Sequence, residues 1–428
     1  MAHPDLASTP VSYVLRHANV LGPTGAFTGP LDVQVSNGIV EAVAPHLPAH
    51  DDIGPSIDFS GLFVMPGVFD CHLHAGVPSY DALELLHTPF SRRTLETAQV
   101  LRRTLESGVT TVRDAGGLDA GVRDGVAAGF VPGPRLQVSV VALGPTGGHG
   151  DGFLEGPGIE CSVDYMQPDY PGRPPSRVDG VEEMRKAVRL VLRAGADWIK
   201  LIATRGVLSA SGGGFDEELD LDEIAVAVAE AARRGRSVMV HALGGPAIGH
   251  AVAAGARSIE HGVFLSEADA QRMAASGCSL VPTLVIYDKL AQLAHGGSLQ
   301  GERQIRARAV GDVLGEAVAI ARAAGVSIAV GSDFAHRADH GNNLAELPLL
   351  RAAGLSAEEV LLAATWNGAV LCGVNDRFGR IAAGYVFDAI VLEQDPADLE
   401  VFASPGAVTG VWKGGVPVVD HPRFCALG

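Results

Sequence analysis

Along the middle of the chain, short apolar runs alternate with longer helical stretches, and the stretches end repeatedly on glycine, at Gly108, Gly195, Gly235, Gly255, Gly277, Gly325 and Gly354. Glycine suits the left-handed residue just past a helix, so each of these marks a helix end with a new strand to follow. The apolar runs give eight strand candidates, at 64–74, 109–115, 136–143, 198–204, 237–243, 258–262, 279–284 and 327–333. Strands alternating with helices pair in parallel, and eight of them predict an α/β fold, a (β/α)8 TIM barrel over 64–379. A chain of 428 residues has room for this barrel and one smaller domain.

The chain ends supply the smaller domain. Near the N-terminus Val14-Leu15, Val20-Leu21 and 31–35 read as strands, and Ser36-Asn37-Gly38 leads into Ile39-Val-Glu-Ala-Val43. Asn-Gly between such runs is a strong hairpin signal. Near the C-terminus 389–392 and 408–412 precede a Gly414-Gly415 turn and 416–419. The two ends are expected to pair into a composite β-sandwich domain of residues 1–63 plus 380–428. The Gly- and Pro-rich stretch 144–179 reads as a long loop after the third strand, of the kind that shapes a substrate pocket.

Composition excludes several classes. With 47% hydrophobic and 19% charged residues the chain is a well-buried globular protein. A net charge of −17, with no Lys/Arg run to override it, argues against a nucleic-acid partner. Cys71, Cys161, Cys278, Cys372 and Cys425 are far apart and form no CxxC pair, so they read as reduced thiols. The first twenty residues lack a basic segment followed by an apolar one, and no apolar run is long enough to span a bilayer. A cytoplasmic protein with no membrane partner is expected.

Chemistry gathers at the strand ends. In a strand alternate side chains share a face, so His72 and His74 converge on one side while Cys71 and Leu73 turn to the other. A histidine pair alone is weak evidence for a metal. The fourth strand, however, carries Lys200 within Asp197-Trp-Ile-Lys-Leu-Ile202, where an unpaired buried charge would cost several kcal/mol. The fifth ends on His241, the sixth on Glu260-His261 and the eighth on Asp333. Singly, His241 or His261 is more often a hydrogen-bonded core histidine, and Asp333 is often a helix N-cap. Together, four histidines, a lysine and an aspartate at the face where barrel active sites are built point to one site.

These residues resemble the amidohydrolase superfamily in its binuclear branch. The resemblance runs nearly full length, through Pro66-Gly67-Val-Phe-Asp70-Cys-His72-Leu-His74, Lys200, His241, Glu260-His261-Gly262, Gly331-Ser-Asp333, Gly379-Arg-Ile381-Ala-Ala-Gly384 and Asp395-Pro396. It implies that Lys200 is carboxylated by CO2 and bridges two divalent metals, commonly zinc, with manganese, cobalt or iron also tolerated. His72, His74 and Asp333 would hold one metal, His241 and His261 the other. A carbamate supplies anionic oxygens where an ammonium would repel two dications. A metal-bridging hydroxide would then be the nucleophile. Asp333 would act as general base and then general acid, because an amide nitrogen leaves only when protonated.

Within that superfamily, Arg113-Asp-Ala-Gly-Gly117, Thr146-Gly-Gly-His149 and Val281-Pro-Thr-Leu-Val-Ile-Tyr287-Asp look like the imidazolonepropionase-related group. That group includes Xaa-Pro and Xaa-Arg dipeptidases and ochratoxinase-like enzymes that cleave N-acyl amino acids. By similarity His149 would lie near the substrate carbonyl or its oxyanion; the alternative is a loop histidine facing solvent. Two positions depart from the group. Leu243 stands where a tyrosine is usual, and Ala203-Thr-Arg205-Gly206 where Ser-Gly-Gly is usual. Arg205 reads either as a partner for a substrate carboxylate or as a surface loop residue.

The expected protein is thus an amidohydrolase cleaving an amide or peptide C–N bond of a small-molecule substrate, and the resemblance implies a homo-oligomer. Lactam, carbamate, ester or phosphoester hydrolysis would use nearly the same chemistry. Deamination of a cyclic amidine fits less well, since Gly244 stands where such enzymes carry a glutamate. A non-catalytic scaffold fits least, because such proteins tend to lose ligands and all six are present.

Overall fold

A computed structural model describes residues 12–48, 54–77, 79, 81–152, 170–209 and 213–419. The expectations for residues 1–11, for 153–169 of the long loop, and for Cys161 and Cys425 lie outside the described residues. The first six strands are β1 (Ser12–Leu21), β2 (Phe27–Ser36), β3 (Ile39–Ala44), β4 (Ser56–Asp58), β5 (Phe63–Pro66) and β6 (Val68–Leu73). Then β7 (Val109–Asp114), β8 (Arg135–Val138), β9 (Ala142–Leu143), β10 (Trp198–Ile202), β11 (Ser237–Ala242), β12 (Ser258–His261) and β13 (Ser279–Val281) are interspersed with helices. Last come β14 (Ala389–Leu392), β15 (Val408–Lys413) and β16 (Val416–Val419).

The fold is α/β. Strands β6-β7-β8 form one parallel sheet and β9-β10-β11-β12-β13 another. All seven glycines expected past helix ends have positive φ, from 64° at Gly235 to 104° at Gly108. Valine, leucine and isoleucine from these strands and the inner helix faces, among them Val112, Ile199, Val240 and Ile259, are fully buried. Strands this apolar suit a sheet covered by helices.

The eight strand candidates differ from the observed ladders in instructive ways. Candidate 64–74 is two strands divided at Gly67: β5 pairs with β1 and β14, and only β6 enters the parallel sheet. Candidate 136–143 breaks into β8 and β9, with Val140 at φ 69° between them. Candidate 279–284 ends early because Thr283, at φ 51°, turns the chain into helix Leu284–His295. Candidate 327–333 forms no ladder strand. It meets β13 at a single bridge, Leu280 to Ile328, and lies beside β6 through Cys71 N–H to the Val330 carbonyl at 2.8 Å and Asp333 N–H to the His72 carbonyl at 2.6 Å.

The terminal strands pair in one eight-stranded sheet in the order β16-β15-β14-β5-β1-β2-β3, with β4 on β1. Asn37 and Gly38, at φ 51° and 79°, make the tight β2–β3 turn. Tyr13, Leu15, Val33, Val35, Phe387 and Trp412 form its buried core. Arg135 of β8 binds Asp388 with two hydrogen bonds, 3.0 and 3.1 Å, and ties this sheet to the parallel one. Cys71, Cys278 and Cys372 are buried free thiols. Among the described residues no helix is long and apolar enough to cross a membrane.

Candidate functional site

The structure brings His72, His74, Lys200, His241, His261 and Asp333 together. His72 Nε2 lies 3.4 Å from Lys200 Nζ and 3.4 Å from Asp333 Oδ1, and His74 Nε2 lies 3.2 Å from the same Asp333 oxygen. The His261 ring is 4.9 Å from that of His72 and 4.6 Å from that of His241. Ligand atoms of His72, His261 and Asp333 all fall within 4.8 Å of one another.

Each imidazole is oriented by its far nitrogen. His72 Nδ1–H donates to Glu260 at 2.6 Å, His74 Nδ1–H donates to the Gly116 carbonyl at 2.8 Å, and His261 Nδ1 pairs with the Thr283 hydroxyl at 2.8 Å. His241 bonds the Arg205 backbone and leaves Nε2 buried with no partner. Four Nε2 atoms therefore turn toward one centre. Orphaned buried polar atoms are rare, and histidines held through the other nitrogen are the usual preparation for a metal.

Electrostatics agrees with that preparation. Burial holds His72, His241 and His261 well below the ordinary imidazole pKa, helped by the Lys200 charge and by neighbouring imidazoles. They are neutral, as ligands must be. Burial also opposes protonation of His74, but the hydrogen bond and charge of Asp333 outweigh it and raise its pKa.

Local backbone geometry aims these groups. Glu260 and His261 are consecutive and in a regular strand would face opposite sides, but His261 has φ 72°, so both side chains reach His72. Asp333 is also left-handed, at φ 54°. Such conformations are costly for non-glycine residues and gather at functional sites. Gly331 lets the segment close against β6, since a Cβ there would stand 2.9 Å from His72 Cβ and 2.5 Å from Val281 Cγ1. Asp70 ties the two segments by accepting from Ser332 Oγ at 2.6 Å and Asn343 Nδ2 at 2.8 Å.

His149 joins the site. Its ring stacks on His241 at 4.9 Å and 30°, its Nδ1 meets Ser209 Oγ at 2.9 Å, and its backbone N–H donates to Glu218. Burial pushes its pKa down to about 4. Arg205 stands otherwise: its Nε lies 3.8 Å from Asp216 and 3.9 Å from Glu218, within its own loop. Leu243 is fully buried in an apolar cluster with Val207, Val263, Ile286, Tyr287 and Leu290.

Sequence reasoning assigned no role to Glu260, Arg113 or Tyr287, although all three lie in motifs it quoted. Arg113 Nη2 holds Glu260 at 2.8 and 3.0 Å, its Nη1 donates to Ser258, its Nε to the Cys71 carbonyl, and its guanidinium covers Trp198 at 4.7 Å. Two opposite charges on apolar strands were the available signal, since each needs the other when buried.

Residues 63–418 match the amidohydrolase family. Ochratoxinase of Aspergillus niger is 35% identical over 364 residues, covering 82% of this chain and 75% of that protein. Its crystal structure superposes with a TM-score of 0.84 at 30% identity, covering 96% of each chain. A prolidase solved in complex with N-methylphosphonate-L-proline gives 0.87 at 33% identity, over 96% of this chain and 100% of that one. A Xaa-Pro dipeptidase with bound methionine gives 0.83 at 27%, over 95% and 99%. The chain therefore belongs to the amidohydrolase family, in its ochratoxinase-like group, and is a hydrolase acting on amide bonds.

Proposed function

We propose that the protein cleaves the amide bond of a dipeptide or N-acyl amino acid at a centre for two divalent ions, zinc foremost. His72, His74, Lys200, His241, His261 and Asp333 would hold them, Lys200 as its carbamate. The observation that carries this reading is the set of inward Nε2 atoms, the His241 one with no partner among them, beside Asp333 and Lys200. Imidazole nitrogens, carboxylate and carbamate oxygens suit zinc. Bound there, the ions would supply an activated water and polarise the substrate carbonyl.

The chain's own residues do the rest. Asp333 turns Oδ1 to both imidazoles, and its side chain, 21% exposed, is more open than those of His72 and His74 at 1% and 9%. On this reading Oδ2 would take the proton of the attacking water and pass it to the departing nitrogen. Ser209 Oγ accepts from Gly206 N–H at 3.0 Å and directs its own proton to His149 Nδ1. His149 then keeps its hydrogen on Nε2, as a neutral donor for the substrate carbonyl. Arg205, 21% exposed in the adjoining loop, is the reading's partner for a free substrate carboxylate. The resemblance to ochratoxinase and to the prolidase with its proline phosphonate supports this substrate class.

The same reading takes the two parallel sheets as arcs of one (β/α)8 barrel, supported by the Leu280–Ile328 bridge and by Asp197 N–H to the Val138 carbonyl at 2.7 Å. The terminal sheet is then the second domain, divided from the barrel at Gly67.

A hydrolysis screen of zinc-supplied protein over dipeptides, N-acyl amino acids, lactams and aryl esters, alongside metal analysis, tests the reading. The expected result is about two metal equivalents per chain and a preference for a free α-carboxylate beside the cleaved amide. Metal-free protein under replete conditions, or activity confined to esters, would overturn it.

A further inference from the structure

Four tyrosines lie among the described residues, and three give their hydroxyls to protein acceptors: Tyr13 to the Gly415 carbonyl at 2.9 Å, Tyr385 to the Asn375 carbonyl at 3.2 Å, and Tyr170 to Asp119. Tyr287 is 4% exposed, yet among the described residues its hydroxyl has no hydrogen-bond partner. A buried phenol usually finds a partner, and one without a protein partner beside a cluster of functional side chains suits a ligand.

The phenol's surroundings place it at the site. Its ring stands edge-on to His261, with centroids 5.4 Å apart and planes at 90°. Leu243, Ile286 and Leu290 belong to the same apolar cluster. The support is rigid: Glu346 caps the first turn of helix Leu284–His295, accepting from Leu284 N–H at 2.9 Å and Val285 N–H at 2.7 Å. Thr283, one residue before that helix, holds His261 Nδ1. One segment thus fixes both the imidazole and the phenol.

We propose that Tyr287 is a catalytic residue whose hydroxyl donates a hydrogen bond to the scissile carbonyl oxygen as the amide carbon becomes tetrahedral. The proposal rests on the amide-hydrolase reading above and adds a donor to it. Burial, with the nearby Asp333 charge, pushes the phenol pKa well up, so the group remains a donor at neutral pH and does not become a base. Its apolar flank keeps water from competing, which is where a preorganised donor acts most strongly. The charge that develops on the oxygen is greatest in the tetrahedral state, so the bond favours that state over bound substrate.

Tyr287→Phe tests this, because it keeps the ring and its edge contact with His261 and removes only the hydroxyl. Turnover of the best amide substrate and affinity for a phosphonate analogue of the tetrahedral state are compared with affinity for the product amino acid and with bound zinc. The expected result is a roughly 100-fold fall in kcat with a matching loss of analogue affinity, while product affinity and zinc content hold. Unchanged kcat and analogue affinity would overturn the proposal, as would a loss that follows zinc content. A parent protein that hydrolyses no amide refutes the broader reading instead, and the role of Tyr287 falls with it.

Discussion

Replacing Glu260 by glutamine removes one charge from a place where several groups depend on it. Glu260 is fully buried, accepts His72 Nδ1–H at 2.6 Å and receives Arg113 Nη2 at 2.8 and 3.0 Å. A glutamine keeps one acceptor oxygen and presents two N–H donors, so either the imidazole or the guanidinium must face another donor. Arg113, also fully buried, retains Ser258 and the Cys71 carbonyl, which are neutral. Removing one partner of a buried pair costs about 3–5 kcal/mol, and E260Q is expected to fall in that range by urea unfolding of chelator-treated protein. His72 also loses the anionic acceptor that fixes its tautomer, which weakens metal affinity by about 10–100-fold. Zinc competition with a chromophoric chelator reads that second effect. The double variant Arg113→Met/Glu260→Gln separates the two, since removing the stranded cation restores most of the stability while zinc stays weakly bound. Zinc affinity in E260Q equal to that of the parent would refute the reasoning.

Other outcomes follow from the same geometry. Asp333→Asn is expected to lower kcat by at least about 100-fold with zinc content nearly kept; undiminished turnover would remove Asp333 from proton transfer. Gly206→Ala places a Cβ 2.6 Å from both Cε1 and Nε2 of His149, so the ring must move. Turnover should fall while metal content, measured in parallel, does not. Burial pushes His340 down to about 3 and His149 to about 4, below the unfolded value of about 6.5. The unfolded chain then binds more protons, so metal-free protein should lose stability as pH drops from about 6.5 toward 4, seen as a falling urea midpoint. A midpoint that rose across that window would contradict the sign.

Much of this was legible in the sequence, for definite reasons. The glycines past helix ends and the alternation of apolar runs reflect local chemistry, and the helices and most parallel strands fall where they indicate. The histidines and Lys200 meet in space because parallel strands deliver their C-terminal ends to one face, and Asp333 joins them from a segment hydrogen-bonded beside β6. What escaped depends on non-local closure or on irregular backbone. Nothing within 64–74 reveals that Phe63–Pro66 pairs with strands from both chain ends while Val68–Leu73 does not. Left-handed Val140, His261, Thr283 and Asp333 break the alternation on which a strand reading relies. The work of Glu260 and Arg113 became visible only once neighbouring elements supplied their partners.

The split at Gly67 also bears on how the protein is made. Strand β5, a few residues before His72, takes its antiparallel neighbour from β14, which lies more than 300 residues further along the chain. At synthesis rates of about 5–20 residues per second, the early strands wait tens of seconds for that neighbour, and meanwhile one side of β5 presents unpaired backbone, an invitation to wrong pairing. The anchor beside His72 is completed only after β14 has been made, so a ribosome that stalls before β14 releases a chain whose early strands are exposed and whose His72 and His74 lack their support.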